Sequence, residues 1–264
     1  MYTREHNLGA TENADSRRSG GKNVVIYMEY KDELKSSFQN FNSLRKHDHR
    51  YSTFDYCYGY FYNNRGHLCD DIEKSCMILW SYLASWGMLR GSSGLLQKSP
   101  VALIPLIEFI DKSDEKLWEI DVPNYDDENN LNKIWSLYKA IKKILLDKQI
   151  ATPTDTLVTK IMLGVYANVP AFDQYFTSFL KIQGNTQQFG EKSLKVIYDF
   201  YKKYQKVIDN IASVEVLVFP GSTPVKAIPK YTIAKIIDMI GFTLGQKKQK
   251  NQTKKLKQSK SKKQ

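Results

Sequence analysis

An all-α, or nearly all-α, fold is predicted for this 264-residue chain by three observations. Apolar residues recur every three or four positions along most of its length, start and stop signals flank those stretches, and a single run, Val214 to Phe219, has the β-branched character of a strand. Together they imply a multi-helix bundle in two halves around a central buried helix, with disordered termini.

Residues 1–23 are polar, mixed in charge and without apolar periodicity, and read as a disordered tail. The helical domain spans 24–244, its first half being about 24–110. An aromatic stretch there, Tyr51, Phe54, Tyr56, Tyr58, Tyr60, Phe61 and Tyr62, reads as a tyrosine-rich core helix. Its charged, solvated start is Arg45, Lys46, His47, Asp48, His49 and Arg50. The segment Asp70–Leu89 begins amphipathic and becomes apolar on all sides around Met77, Ile78, Leu79, Trp80, Leu83, Trp86 and Met88, which makes it the expected central helix. Ser99 and Pro100 open another helix toward Ile110, with Pro105 kinking it or delaying its start. From Asp111 to Asn130 eight acids face two lysines, and this stretch reads as an acidic connection (111–130) to the second half, about 131–244.

In that half Leu131, Ile134, Trp135, Tyr138, Ile141 and Leu145 trace one amphipathic helix. Thr152-Pro153-Thr154-Asp155 supplies a capping hydroxyl, a first-turn proline and a carboxylate ahead of Leu157, Ile161 and Val165, so a helix begins there. Asn168-Val169-Pro170 breaks it, and the next helix starts at Pro170 and carries Phe172, Phe176 and Leu180. Leu194, Ile197, Tyr201, Tyr204 and Ile208 predict a further helix, and Ile233, Ile236, Ile237 and Ile240 a last one over Tyr231–Phe242. Residues 245–264 read as a disordered lysine-rich tail.

The formal net charge of +11 is unevenly placed: Lys247 to Gln264 holds nine lysines and no acid, while the charges of 1–23 nearly balance. The body is therefore close to neutral, which argues against an extended phosphate-neutralising groove on it. Lys247, Lys248, Lys250, Lys254, Lys255 and Lys257 are left as a candidate tether to DNA or RNA. No run approaches the ~20 apolar residues of a bilayer span. Met1 to Lys22 lacks the apolar centre of a secretory signal, and three cysteines, Cys57, Cys69 and Cys76, do not make a disulfide framework. These features predict no membrane insertion, reduced thiols and a cytoplasmic location.

His47, His49 and His67 with Cys57 and Cys69 lack the CxxC or HExxH spacing of a zinc site, so no metal and no cofactor are expected. Neither a GxSxG elbow nor a GxxxxGK[ST] loop occurs. Arg90-Gly91-Ser92-Ser93-Gly94 follows the most apolar helix and gathers a cation, two hydroxyls and flexible backbone. Arg90, Ser92 and Ser93 are candidate ligands for a phosphate or carboxylate; the same residues also suit a helix end.

The segment Lys160-Ile-Met-Leu-Gly-Val-Tyr-Ala-Asn-Val-Pro-Ala-Phe-Asp173-Gln-Tyr-Phe orders a lysine, an apolar helix, a turn closed by proline and an aspartate near the next helix start. That order resembles a segment of bacterial proteins distantly similar to helix-hairpin-helix DNA glycosylases. The resemblance covers about seventeen residues and lacks the family's paired hairpin glycines, Gly164 standing alone. It implies a catalytic role for Asp173, in stabilising positive charge on the sugar or in activating the attacking water or lysine. Asp173 equally suits the first turn of a helix, where unpaired amides favour a carboxylate. The Trp86–Leu96 and Val169–Phe176 stretches also resemble uncharacterised bacterial helical proteins associated with mobile or defence-linked genes. The expectation is a nucleic-acid-associated protein with a divergent or degenerate glycosylase-like domain. The alternatives are a non-catalytic interaction module or toxin or defence component with a protein partner, and an enzyme or binder of a small anionic ligand.

Overall fold

The computed structural model describes residues 30–90, 93–184, 188–221 and 227–261, and among these the regular structure is helical. Helix α1 (residues 30–42) turns Leu34, Phe38 and Phe41 into the core. Helix α2 (Thr53–Asn63) does the same with Phe54, Cys57, Tyr58 and Phe61, as expected of the tyrosine-rich stretch. Helix α3 (Ile72–Ser85) is capped by Asp71, whose carboxylate accepts the Lys74 N–H at 3.1 Å. It ends four residues before Leu89 because the chain turns away through Gly87 at φ +77°. Pro105 sits in the first turn of α4 (Ile104–Asp111), behind a 3₁₀ turn at Pro100–Leu103, so it delays that helix without kinking it.

The central element differs from the expected one. Helix α3 leaves Met77 48% exposed, whereas α6 (Asp155–Tyr166) is buried at every position from Leu157 to Tyr166. Its apolar residues include a lysine, Lys160, and a threonine, Thr159, which hid the all-round burial from a reading based on hydropathy. Thr154 caps α6 by accepting the Leu157 N–H, and Ala167 ends it in the left-handed region at φ +51°. The following helix α7 (Gln174–Ile182) begins at Asp173 as N-cap, four residues later than the proline suggests.

The acidic stretch is packed against the core and does not hang between halves. Trp118 donates to the Val165 carbonyl at 2.8 Å, the Tyr125 hydroxyl to that of Asn168 at 2.6 Å, and Ile120 and Val122 are buried. Between them Asp121 accepts from the Ile233 and Ala234 amides at 2.7 and 2.8 Å, capping the last helix across 112 residues of sequence. Desolvation under that helix pushes the Asp121 carboxyl up from 3.8 to about 6, against the pull of its three backbone N–H donors. The fold thus holds a proton that the unfolded chain has already released between about pH 4 and 6, so this group's stabilisation falls as pH rises through that window. Replacing it with Asn removes the titration. Urea unfolding at about pH 4 and pH 7 should show the stability difference moving toward the variant by up to about 3 kcal/mol with rising pH. A pH-independent difference would show that Asp121 does not titrate there. Asp55, also raised by burial, is common to both proteins and cancels.

Helices α5 (Glu128–Asp147) and α8 (Glu191–Asp209) flank this core, α8 bending at the non-helical Tyr204. Val214–Phe219 forms no strand of a sheet: Glu215 makes one antiparallel bridge with Lys230. The segment is held instead by Asp55, fully buried on α2, which accepts the Leu217 N–H at 2.9 Å and the Tyr231 hydroxyl at 2.8 Å beside Arg45. Helix α9 begins at Ile233 and runs to Ser261, well past Phe242 and into the lysine-rich segment. Lysine and glutamine are good helix formers, and neither glycine nor proline follows Gly245 before the helix ends.

Candidate functional site

Helix α6 carries the Lys160 side chain into the interior, only 4% exposed, where its amine lies 3.3 Å from the Asp173 carboxylate. The second oxygen of Asp173 accepts the Tyr175 and Phe176 amides, both at 3.0 Å, so one side chain caps α7 and pairs with α6. A second pair lies nearby on α9. Lys235, 1% exposed, donates to Asp238 at 2.9 Å, and the other Asp238 oxygen accepts the Ala171 N–H at 3.0 Å. Both aspartates therefore fix the turn that joins α6 to α7.

Trp86 links the two pairs. The Lys160 amine is 4.8 Å and the Lys235 amine 5.7 Å from its ring centre, while Lys235 also lies 4.3 Å from the Phe54 ring. Phe41, Tyr51 and Trp86 are mutually parallel, and Phe242 meets each of the three edge-on. The Trp86 indole N–H is buried and makes no hydrogen bond to a described residue. Tyr82 approaches from α3, its ring filling the space over Gly164 that any side chain there would occupy. Burial holds the Tyr82 phenol well above its ordinary value, and the neighbouring Cys57, Asp238 and Asp173 add to that.

The arrangement offers two desolvated amines, each neutralised by a carboxylate, beside an aromatic face and an unsatisfied donor. It clamps α6, α7 and α9 to one another.

Among the residues singled out from sequence, Asp173 is the one drawn into this cluster. Ser93 is buried and its hydroxyl donates to the Met88 carbonyl at 2.6 Å, closing the turn after α3. Arg90 is exposed, and Ser92 lies outside the described residues. Lys247, Lys248, Lys250, Lys254, Lys255 and Lys257 all fall on α9, where Lys247, 63% exposed, pairs with Glu33 at 2.6 Å. Among the described residues no group of three or more His, Cys, Asp or Glu is placed to hold a metal ion, and no helix is long and apolar enough to cross a membrane.

Sequence reasoning missed Lys235, Asp238, Asp55 and Asp121. The first two carried a legible signal, since a lysine and an aspartate three apart inside the Ile233–Ile240 apolar run must pair when that helix is buried. Asp55 and Asp121 carried none, because the distant amides they hold, Leu217 and Ile233, lie 162 and 112 residues away.

No family model, curated protein or solved structure matches this chain.

Proposed function

We propose that this protein associates with nucleic acid through the lysine-bearing end of α9. The observation that carries this reading is the continuity of α9, which leaves the buried core at Leu244 and reaches Ser261 as one helix. The backbone positions of lysines on such a helix follow one another at a rise of about 1.5 Å per residue from an anchored base, so the positive charge is distributed along one axis with a defined origin. The near-neutral body contributes little net positive charge, so recognition is electrostatic and tolerant of sequence.

Fluorescence anisotropy with a short DNA duplex tests this. Affinity of the full chain should fall by about a thousandfold or more between 50 and 200 mM salt if six phosphates are neutralised, and deleting 247–264 should abolish it. Gln252→Pro keeps every charge and breaks the helix, and is expected to weaken binding by a smaller factor. Undiminished binding by the truncated chain would refute the assignment.

A second reading adds excision chemistry at Lys160 and Asp173. It is favoured by the amine and carboxylate standing 3.3 Å apart in the segment that resembles the glycosylases. There Asp173 would take a proton from the Lys160 ammonium, and the freed amine would bond to the sugar carbon of a damaged nucleotide as the bond from that carbon to the base breaks, the base leaving with the electron pair and taking up the proton that the newly bonded nitrogen sheds. Borohydride trapping on an abasic-site duplex reads this out: a covalent adduct lost in Lys160→Met supports it, and the absence of an adduct leaves binding alone.

A further inference from the structure

We propose that a separate cleft, between α2, α3 and residues 216–221 and 227–229, binds an apolar monocarboxylate of the fatty-acid type. The cleft measures about 830 Å³, and none of its lining residues belongs to α9, whose lysines the nucleic-acid reading uses. That volume suits a small molecule enclosed on several sides, whereas a protein partner would need a broad, flat face.

Its walls are mostly apolar. Met77, Phe219 and Ile228 line it while 48, 61 and 45% exposed, which places three of the largest uncovered apolar side chains on one concavity. One cation on the wall remains for a ligand. Lys74 lies over the Tyr60 ring at 5.6 Å and forms no ion pair with a described residue. The other charged wall residue, Asp55, is engaged by Leu217, Tyr231 and Arg45. An apolar chain along Met77 and Ile228 with its carboxylate at Lys74 satisfies the exposed surface and the free cation together. A cationic or neutral amphiphile satisfies only the first.

Isothermal titration of the full chain with dodecanoate, dodecanol and dodecyltrimethylammonium, each below its aggregation threshold, tests this. Dodecanoate should bind about tenfold more tightly than dodecanol, a difference typical of one charge-assisted contact. Lys74→Gln should erase that preference and leave dodecanol binding unchanged. Met77→Asp, at an exposed position that tolerates substitution, should weaken dodecanoate by at least about tenfold through lost contact and repulsion. The lysines of α9 are identical in all three proteins, so attraction of the anion to them does not produce these differences. The proposal fails if no saturable binding occurs, if dodecanol binds as tightly as dodecanoate, or if neither substitution alters the affinity.

Discussion

Asp238→Ala lowers the unfolding free energy by about 3–5 kcal/mol. The loss has two sources, both visible in the structure. Lys235, 1% exposed, is left as an ammonium with its carboxylate partner removed, and the Ala171 N–H loses its acceptor in the turn between α6 and α7. The rings of Phe54, Phe41 and Trp86 around the amine offset part of the penalty, since their faces attract a cation, but they cannot replace a full opposite charge. The combined variant Lys235→Met, Asp238→Asn removes the charge and keeps an acceptor for Ala171. It should recover at least half of the loss, because a buried pair exchanged for groups of similar volume is often neutral. Urea denaturation of the two variants measures both values. A double variant as unstable as Asp238→Ala would show that the ion pair itself stabilises the fold, beyond filling its space.

Lys235 and Asp238 also mark how far the fold was legible before the structure. Helix positions follow from short-range signals, and α2, α5 and α8 stand where their apolar periodicity places them. Burial on all sides is a tertiary property, and the signal for it is ambiguous when a helix contains lysine and threonine. That ambiguity made α3 the expected centre in place of α6, whose Lys160 has its charge answered by Asp173 on another element. The acidic stretch misleads for the same reason. Asp121 is an interior cap while Asp126 and Asp127 are exposed, and nothing in the local composition separates them. The candidate site was legible in one residue, Asp173, because capping and pairing both draw on a local pattern of turn, aspartate and helix. Its other half, on α9, depends on a contact that only the assembled bundle makes.

That contact rests on two glycines four residues apart. Gly241 and Gly245 lie on one face of α9, along which α7 packs more extensively than along any other helix. A Cβ at Gly241 would meet the Phe176 and Phe179 rings at 2.6 and 2.9 Å, whereas one at Gly245 would overlap the backbone carbonyl of Tyr175. Rings turn aside at modest cost, but the carbonyl belongs to the first turn of α7, held in place by the Asp173 cap. Gly245→Ala is therefore expected to destabilise the protein by about 2 kcal/mol or more, overpacking outweighing the gain of about 1 kcal/mol from better helix propensity. Gly241→Ala should be less harmful. The displacement also has a functional direction: α7 can yield only by carrying Asp173 away from Lys160, or α9 by swinging its lysine-bearing end off the body. Calorimetric unfolding of both variants, read beside the anisotropy titration of Gly245→Ala, separates these outcomes. A lower transition temperature with unchanged DNA affinity points to movement of α7, and a parallel loss of affinity points to movement of α9. Equal stability of Gly245→Ala and the parent would mean that the two helices do not approach as closely as a bare glycine requires.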